Sequence, residues 1–176
     1  KPIKEYAGNG MHINMSVRCE DGSDCNGQFM TGILEHIRDI TLFLNPSEDS
    51  YRRLGEKKAP KYVTWSPENR SQLIRIPAVK NKRKRIELRS PDPTANPYLA
   101  FALLIYAGMD GIERKLPLQK PANVNLYTAD HKVTDQLRKL PESRGEAWDA
   151  ATASALVKKV LPEAYLDVYK NPPKTR

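Results

Sequence analysis

The chain has 176 residues, with 29 Lys and Arg against 21 Asp and Glu, a net charge of +8 and 39% apolar residues. Such a length supports one ordinary core, and 28% charged residues alongside two Trp, three Phe and eight Tyr exclude a disordered acidic chain or a collagen-like one. No apolar run approaches the roughly 20 residues that span a bilayer, which excludes a membrane-spanning role.

In chain order, Met11 to Val17 alternates apolar and polar residues. This predicts a strand with Met11, Ile13, Met15 and Val17 on one side and His12, Asn14 and Ser16 on the other. Phe29, Met30, Ile33, Leu34, Ile37, Ile40 and Leu44 recur at helical spacing, and Asn45-Pro46 ends the helix. His36 lies on its flank, where a half-buried or surface histidine is expected rather than a ligand. Residues 61–66 and 72–77 read as short strands joined by a turn containing Pro67 and Asn69, and 85–89 (RIELR) as another strand. Asn96 and Pro97 then cap and open a helix that is apolar nearly all round from Tyr98 to Ala107, which predicts a buried core helix. Further helices are expected at about 145–160 and 162–169, after a loop-rich stretch from Pro117 to Asp130.

The charge is local. Residues 80–89 (KNKRKRIELR) hold six basic side chains and one Glu, and the segment 170–176 holds the other three positive charges in excess. A run of this density suits a nucleic-acid patch, a localisation signal, a polyphosphate site or a solvated loop. Cys19 and Cys25 flank EDGSD, whose Asp-Gly pair favours a reversal that lets them face each other. Zinc would need about four ligands, and no His or further Cys lies nearby, so two reduced thiols are expected. The chain begins with Lys1 rather than Met, and a start inside a longer gene product is expected.

Three predicted strands each carry polar residues on one face: His12, Asn14 and Ser16; Arg75, with Arg70 in the preceding turn; and Arg85, Glu87 and Arg89. If they are neighbours, a possible metal-ligand pair, His12 and Glu87, stands among guanidinium groups. That combination suits phosphoryl chemistry, in which a hard cation bridges phosphate oxygens and arginine forks hold the charge of the transferring group. The alternative is that these alternating polar residues simply face water.

The sequence resembles the C-terminal part of the catalytic domain of bacterial-type glutamine synthetases, from about Ala7 to Tyr169. The motifs that carry the resemblance are GNGMHINMS, NPSEDSYRRL, APKYVTWSPENRSQLIRIP, RIELRSPDPTANPYLAFALLIYAGMDGI and NLY, in that order. The resemblance implies an α+β fold, with a mainly antiparallel sheet and helices packed on one side. It also implies that residues 1–176 are one portion of a larger catalytic domain, whose N-terminal domain and other metal-binding glutamates lie upstream. His12 and Glu87 match metal ligands, for Mg2+ or Mn2+. Asn14, Ser16, Arg70, Arg75, Lys82 and Arg85 match ATP-binding positions, and Gly8, Arg53 and Arg89 match positions that recognise L-glutamate.

The implied reaction moves the γ-phosphoryl group of ATP to the γ-carboxylate of glutamate, after which ammonia displaces phosphate to give glutamine. The implied setting is a cytoplasmic homo-oligomeric ring active in nitrogen metabolism, with no nucleic acid or membrane as partner and an isolated fragment that is inert.

Two departures bear on this expectation. Ala7 stands where the family usually has an asparagine that helps bind glutamate. Lys58 precedes Ala59-Pro60 in RLGEKKAP, where the family has a glutamate that takes a proton from bound ammonium, a role a lysine cannot fill without a large pKa shift. Glu56 is the expected replacement, with Arg70 beside it as the second catalytic residue. The alternatives are a ligase for another amine, an inert relative, and a nucleic-acid-binding module using the basic run at 80–85. In NLY, Tyr127 resembles a modifiable tyrosine, although Thr128 follows it in place of the usual aspartate.

Overall fold

A computed structural model describes residues 3, 5–6, 8–56, 58–78 and 85–170. Four short strands form one sheet: β1 (Ile13–Met15), β2 (Trp65–Pro67), β3 (Ile74–Ile76) and β4 (Ile86–Leu88), in the order β1-β4-β3-β2. The β1–β4 and β3–β4 pairs are antiparallel and β2–β3 is parallel. The fold is α+β with a mainly antiparallel sheet, as the sequence predicts.

Register turns the period of two into two chemically distinct rows. Ile13, Leu88, Ile74 and Trp65 align across the sheet and are all buried, whereas Asn14, Glu87, Arg75 and Ser66 align in the adjacent row. The apolar row belongs to one core shared with the helices, and the polar row supplies part of the site described below.

The longest helix, α1 (Asn26–Leu44), buries Ile33, Leu34, Ile37 and Ile40 completely. Asn26 ties its start to the sheet by accepting from the Val17 amide at 3.1 Å, and its end coincides with Asn45-Pro46 because proline cannot continue the helix. A single turn, α2 (Glu48–Tyr51), follows, capped by Ser47; four residues carry too little periodicity for the sequence to announce it. The next long helix is α3 (Pro97–Glu113), and Asn96 Oδ1 caps it by accepting from the Tyr98 amide at 3.0 Å. α3 lies directly on α1 where glycines let the backbones meet. A Cβ on Gly32 would stand 2.1 Å from the Ala107 carbonyl oxygen, and one on Gly111 would stand 2.3 Å from that of Gln28.

Three expectations need correction. The 97–113 helix is not buried all round: Leu103, Leu104 and Ala107 face the core, but Tyr98, Phe101, Ile105, Tyr106 and Met109 are exposed. Facing α1 takes only one side of the helix, and residues 155–160 reach it without closing over Ile105, Tyr106 and Met109. The predicted 145–160 helix is two, α5 (Arg144–Ala153) and α6 (Ala155–Val160), after a short α4 (His131–Thr134). Ser154 makes the break: its backbone is extended, and its hydroxyl both caps α6 and donates to Asp39 Oδ2 at 2.9 Å. α7 (Glu163–Lys170) completes the chain. The third correction concerns the thiols: Cys19 and Cys25 are joined as a disulfide with Cα atoms 6.0 Å apart, as the reversal between them permits.

Candidate active site

The polar edge of the sheet opens into a cavity of about 430 Å³. Its lining includes Gly8, His12, Arg53, Glu56, Arg70, Arg75, Glu87 and Arg89, eight of the residues singled out from the sequence. Gly10, Lys58 and Ala59 also line it. Asn14 and Ser16 are exposed on and just after β1 outside this wall, and Arg85 is exposed before β4, so these three are not brought to the cavity. Lys82 and Ala7 lie outside the described residues, as does most of the basic run.

Glu87 is the electrostatic centre. Its carboxylate is almost fully buried; Oε2 accepts from Arg75 Nη2 at 2.7 Å and Oε1 accepts from Arg89 Nη1. Burial alone would raise its pKa, but the hydrogen bonds and charges of Arg75 and Arg89 outweigh that and hold it below the ordinary carboxylate value. His12 Nδ1 lies 3.3 Å from Glu87 Oε1. Burial, then Arg89, Arg75 and Arg53, lower the His12 pKa against the raising effect of Glu87. The same surroundings that lower the His12 pKa disfavour its charged form beside the carboxylate.

Arg89, only 3% exposed, joins three segments: it reaches Glu87 on β4, the Arg70 carbonyl at 3.2 Å and the Lys58 carbonyl at 3.4 Å. Arg53 is anchored on the other side, donating from Nη2 to Asn45 Oδ1 at 2.8 Å and to the Ser90 carbonyl at 2.6 Å. Gly8 lies against it so closely that a Cβ there would stand 3.0 Å from Arg53 Cγ and Cδ.

The loop carrying Glu56 and Lys58 is a tight reversal. Gly55 and Ala59 pair through a 3.0 Å backbone bond, Ala59 donates to the Glu56 carbonyl at 2.9 Å, and both Gly55 (φ 90°) and Lys58 (φ 79°) adopt left-handed backbone. Glycine does so freely, whereas for a lysine the conformation costs about 1–2 kcal/mol. The bond from Arg89 to the Lys58 carbonyl helps hold it there. Loop 124–127 buttresses the opposite wall: the Val124 carbonyl accepts from Asn69 and Gln72, and Tyr127 Oη donates to the Arg70 carbonyl at 3.4 Å.

The donor set suits anions and a divalent cation together. Arg53 Nε and Arg75 Nε are buried beside the cavity without a partner, which leaves guanidinium N–H groups for an anionic guest. The His12 imidazole and the Glu87 carboxylate, 3.3 Å apart, are nitrogen and oxygen donors of the kind a divalent cation takes. No group of three or more His, Cys, Asp or Glu placed to hold an ion gathers among the described residues. Strand alternation marks His12, Arg75, Glu87 and Arg89 of this wall, whereas Gly8, Arg53 and Glu56 follow from the family resemblance. Sequence reasoning flagged Lys58 only as a departure and missed Gly10 and Ala59, whose signal lies in backbone proximity to Arg53 and the loop.

Comparison with known proteins yields a consistent set. Residues 1–174 match the family described as glutamine synthetase, catalytic domain. The chain is 40% identical to a glutamine synthetase of Methanosarcina mazei over 96% of its own length and 41% of the relative's, and 37% identical to one of Staphylococcus aureus over 92% and 40%. It superposes on a solved structure titled GmaS/ADP complex with a TM-score of 0.82 and 28% identity, covering 97% of this chain and 43% of the other. The chain thus spans about two fifths of the length of these relatives.

Proposed function

Because the chain belongs to the glutamine synthetase catalytic-domain family, we propose that within a complete subunit it forms part of a site for ATP-dependent amide ligation to L-glutamate. The carrying observation is the single cavity that gathers His12, Glu87 and the guanidinium groups of Arg53, Arg70, Arg75 and Arg89. The family match leaves the nucleic-acid-binding alternative without support.

The γ-carboxylate oxygen of glutamate attacks the γ-phosphorus of ATP, the bond to the bridging oxygen breaks, and ADP leaves with its electron pair. The carboxylate has then become an acyl phosphate. An amine nitrogen attacks the γ-carbonyl carbon, the carbon–oxygen bond to phosphate breaks, inorganic phosphate departs, and the proton lost by nitrogen passes to the Glu56 carboxylate.

Arg70 and Arg75 hold the phosphates, their planar forks matching the oxygens that carry the charge of the transferring group. Arg53 and Arg89 hold glutamate, with Gly8 giving room at its side. His12 and Glu87 would ligate a magnesium or manganese ion, which when bound neutralises phosphate charge. Asn14, Ser16 and Arg85, which stand outside the cavity wall, serve the nucleotide, and Lys82 shares that role. A neighbour solved as an ADP complex is consistent with a nucleotide here.

The proposal extends to a homo-oligomeric, cytoplasmic enzyme of nitrogen metabolism in which residues 1–176 are the C-terminal portion of the catalytic domain. The test is phosphate release by the complete subunit given ATP, magnesium, L-glutamate and ammonia or a panel of amines. Glutamate- and amine-dependent release supports it, with none from residues 1–176 alone; no release under any combination refutes it.

A further inference from the structure

Five cationic side chains line the cavity, and four already have an assigned task. Arg75 and Arg89 are bonded to Glu87 and Arg53 to Asn45 and the Ser90 carbonyl, while Arg70, in the turn before β3, has the phosphate-holding role proposed above. Lys58 is the remaining one. It makes no ion pair among the described residues, and its backbone is fixed on the wall in a left-handed conformation by Arg89. Two residues earlier in the same reversal is Glu56, so a carboxylate and an ammonium lie on one tight loop that faces one cavity.

We propose that Lys58 determines acceptor specificity, selecting an amine that carries a carboxylate rather than ammonia or an uncharged-tail amine. The inference rests on the ligase reading. A cation at the acceptor side of the cavity repels ammonium and protonated simple amines, whereas an amino acid offers a carboxylate that offsets the repulsion and orients the amine nitrogen. Glu56 then takes the proton from that nitrogen while Lys58 holds the carboxylate. The amide bond forms as described above, with phosphate as leaving group and no further reactant.

The test compares kcat/KM of the complete subunit, with ATP, magnesium and L-glutamate, for 4-aminobutyrate, butylamine and ammonia, in the wild type, Lys58→Gln and Lys58→Arg. The expected result is a wild-type preference for 4-aminobutyrate over butylamine that falls about 10- to 100-fold in Lys58→Gln, the range for loss of one hydrogen bond to a charged group, and is largely kept in Lys58→Arg. Retention by the arginine variant separates a charge effect from damage to the loop. Equal losses with all acceptors would overturn the proposal in favour of a lysine acting on the phosphoryl group. A wild type that uses ammonia alone, or an unchanged preference in Lys58→Gln, would also overturn it while leaving the ligase reading intact. Absence of phosphate release with every acceptor would instead remove the ligase reading and this inference with it.

Discussion

Replacing Arg89 with methionine separates the two wall segments that it joins to β4. Arg89 is 3% exposed and makes three hydrogen bonds, one to the ionised Glu87 and two to the carbonyls of Arg70 and Lys58 at 3.2 and 3.4 Å. A hydrogen bond to a buried charge contributes about 1.5–3 kcal/mol and a neutral one about 0.5–1.5 kcal/mol, with these two long bonds at the low end. Arg75 still pairs with Glu87, so the carboxylate is not abandoned and the larger penalty for an unpaired buried charge is not reached. The expected loss is about 3 kcal/mol at neutral pH. Urea unfolding followed by the fluorescence of Trp65 and Trp148 measures it.

The same variant carries a pH signature. Because the folded Glu87 pKa is depressed, its contribution is present above the ordinary carboxylate pKa of 4.5 and is lost as pH falls through the lower folded value. The difference between wild type and Arg89→Met is therefore expected to shrink in acid. A loss under 0.5 kcal/mol at neutral pH, roughly the scatter of surface substitutions, or one that grows in acid, would refute this account of the wall.

Glu56→Gln in the complete subunit is expected to lower amide formation about 100-fold or more with glutamate KM little changed, as read by steady-state kinetics; product formation that survives unchanged removes the base role from Glu56. Gly111→Ala is expected to cost at least about 1–3 kcal/mol by thermal or urea unfolding, because its Cβ would meet the Gln28 carbonyl oxygen at 2.3 Å and backbone cannot swing aside. His36 lies between Asp39 and Asp110, with Nε2 2.8 Å from Asp110 Oδ2, and the Asp39 hydrogen bond leads the effects that raise its pKa. Its contribution is full below the unfolded value of 6.5 and is lost as pH rises through the higher folded one, so stability of His36→Gln should fall less than wild type's across that window. Ser154→Ala should destabilise by about 1 kcal/mol through loss of the α6 cap.

The faces of each strand were legible because alternation is local: the period of two marks His12, Arg75, Glu87 and Arg89 as polar-face residues, and they form one group only if their strands are neighbours. Strand order was not. β4 lies between β1 and β3 because Glu87 pairs in register with both Asn14 and Arg75, a choice made by long-range packing that no short window records. Asn14 and Ser16 share the His12 face by parity, yet only His12 stands at the cavity, since distance along the strand matters as well as side. The helix at 145–160 keeps its apolar period through Ser154, and only the hydroxyl's bonds to Val157 and Asp39 break it. The left-handed Lys58 had no signal in RLGEKKAP, because its conformation is imposed by the Ala59–Gly55 closure and by Arg89 rather than by residue type.

The most direct measurement of the central claim follows the oxygen atoms. L-glutamate labelled with heavy oxygen in its γ-carboxylate is given to the complete subunit with ATP, magnesium and the amine it uses, and the released phosphate is examined by mass spectrometry. Transfer through an acyl phosphate requires one labelled oxygen in each phosphate formed. Phosphate that carries no label while amide accumulates would contradict it.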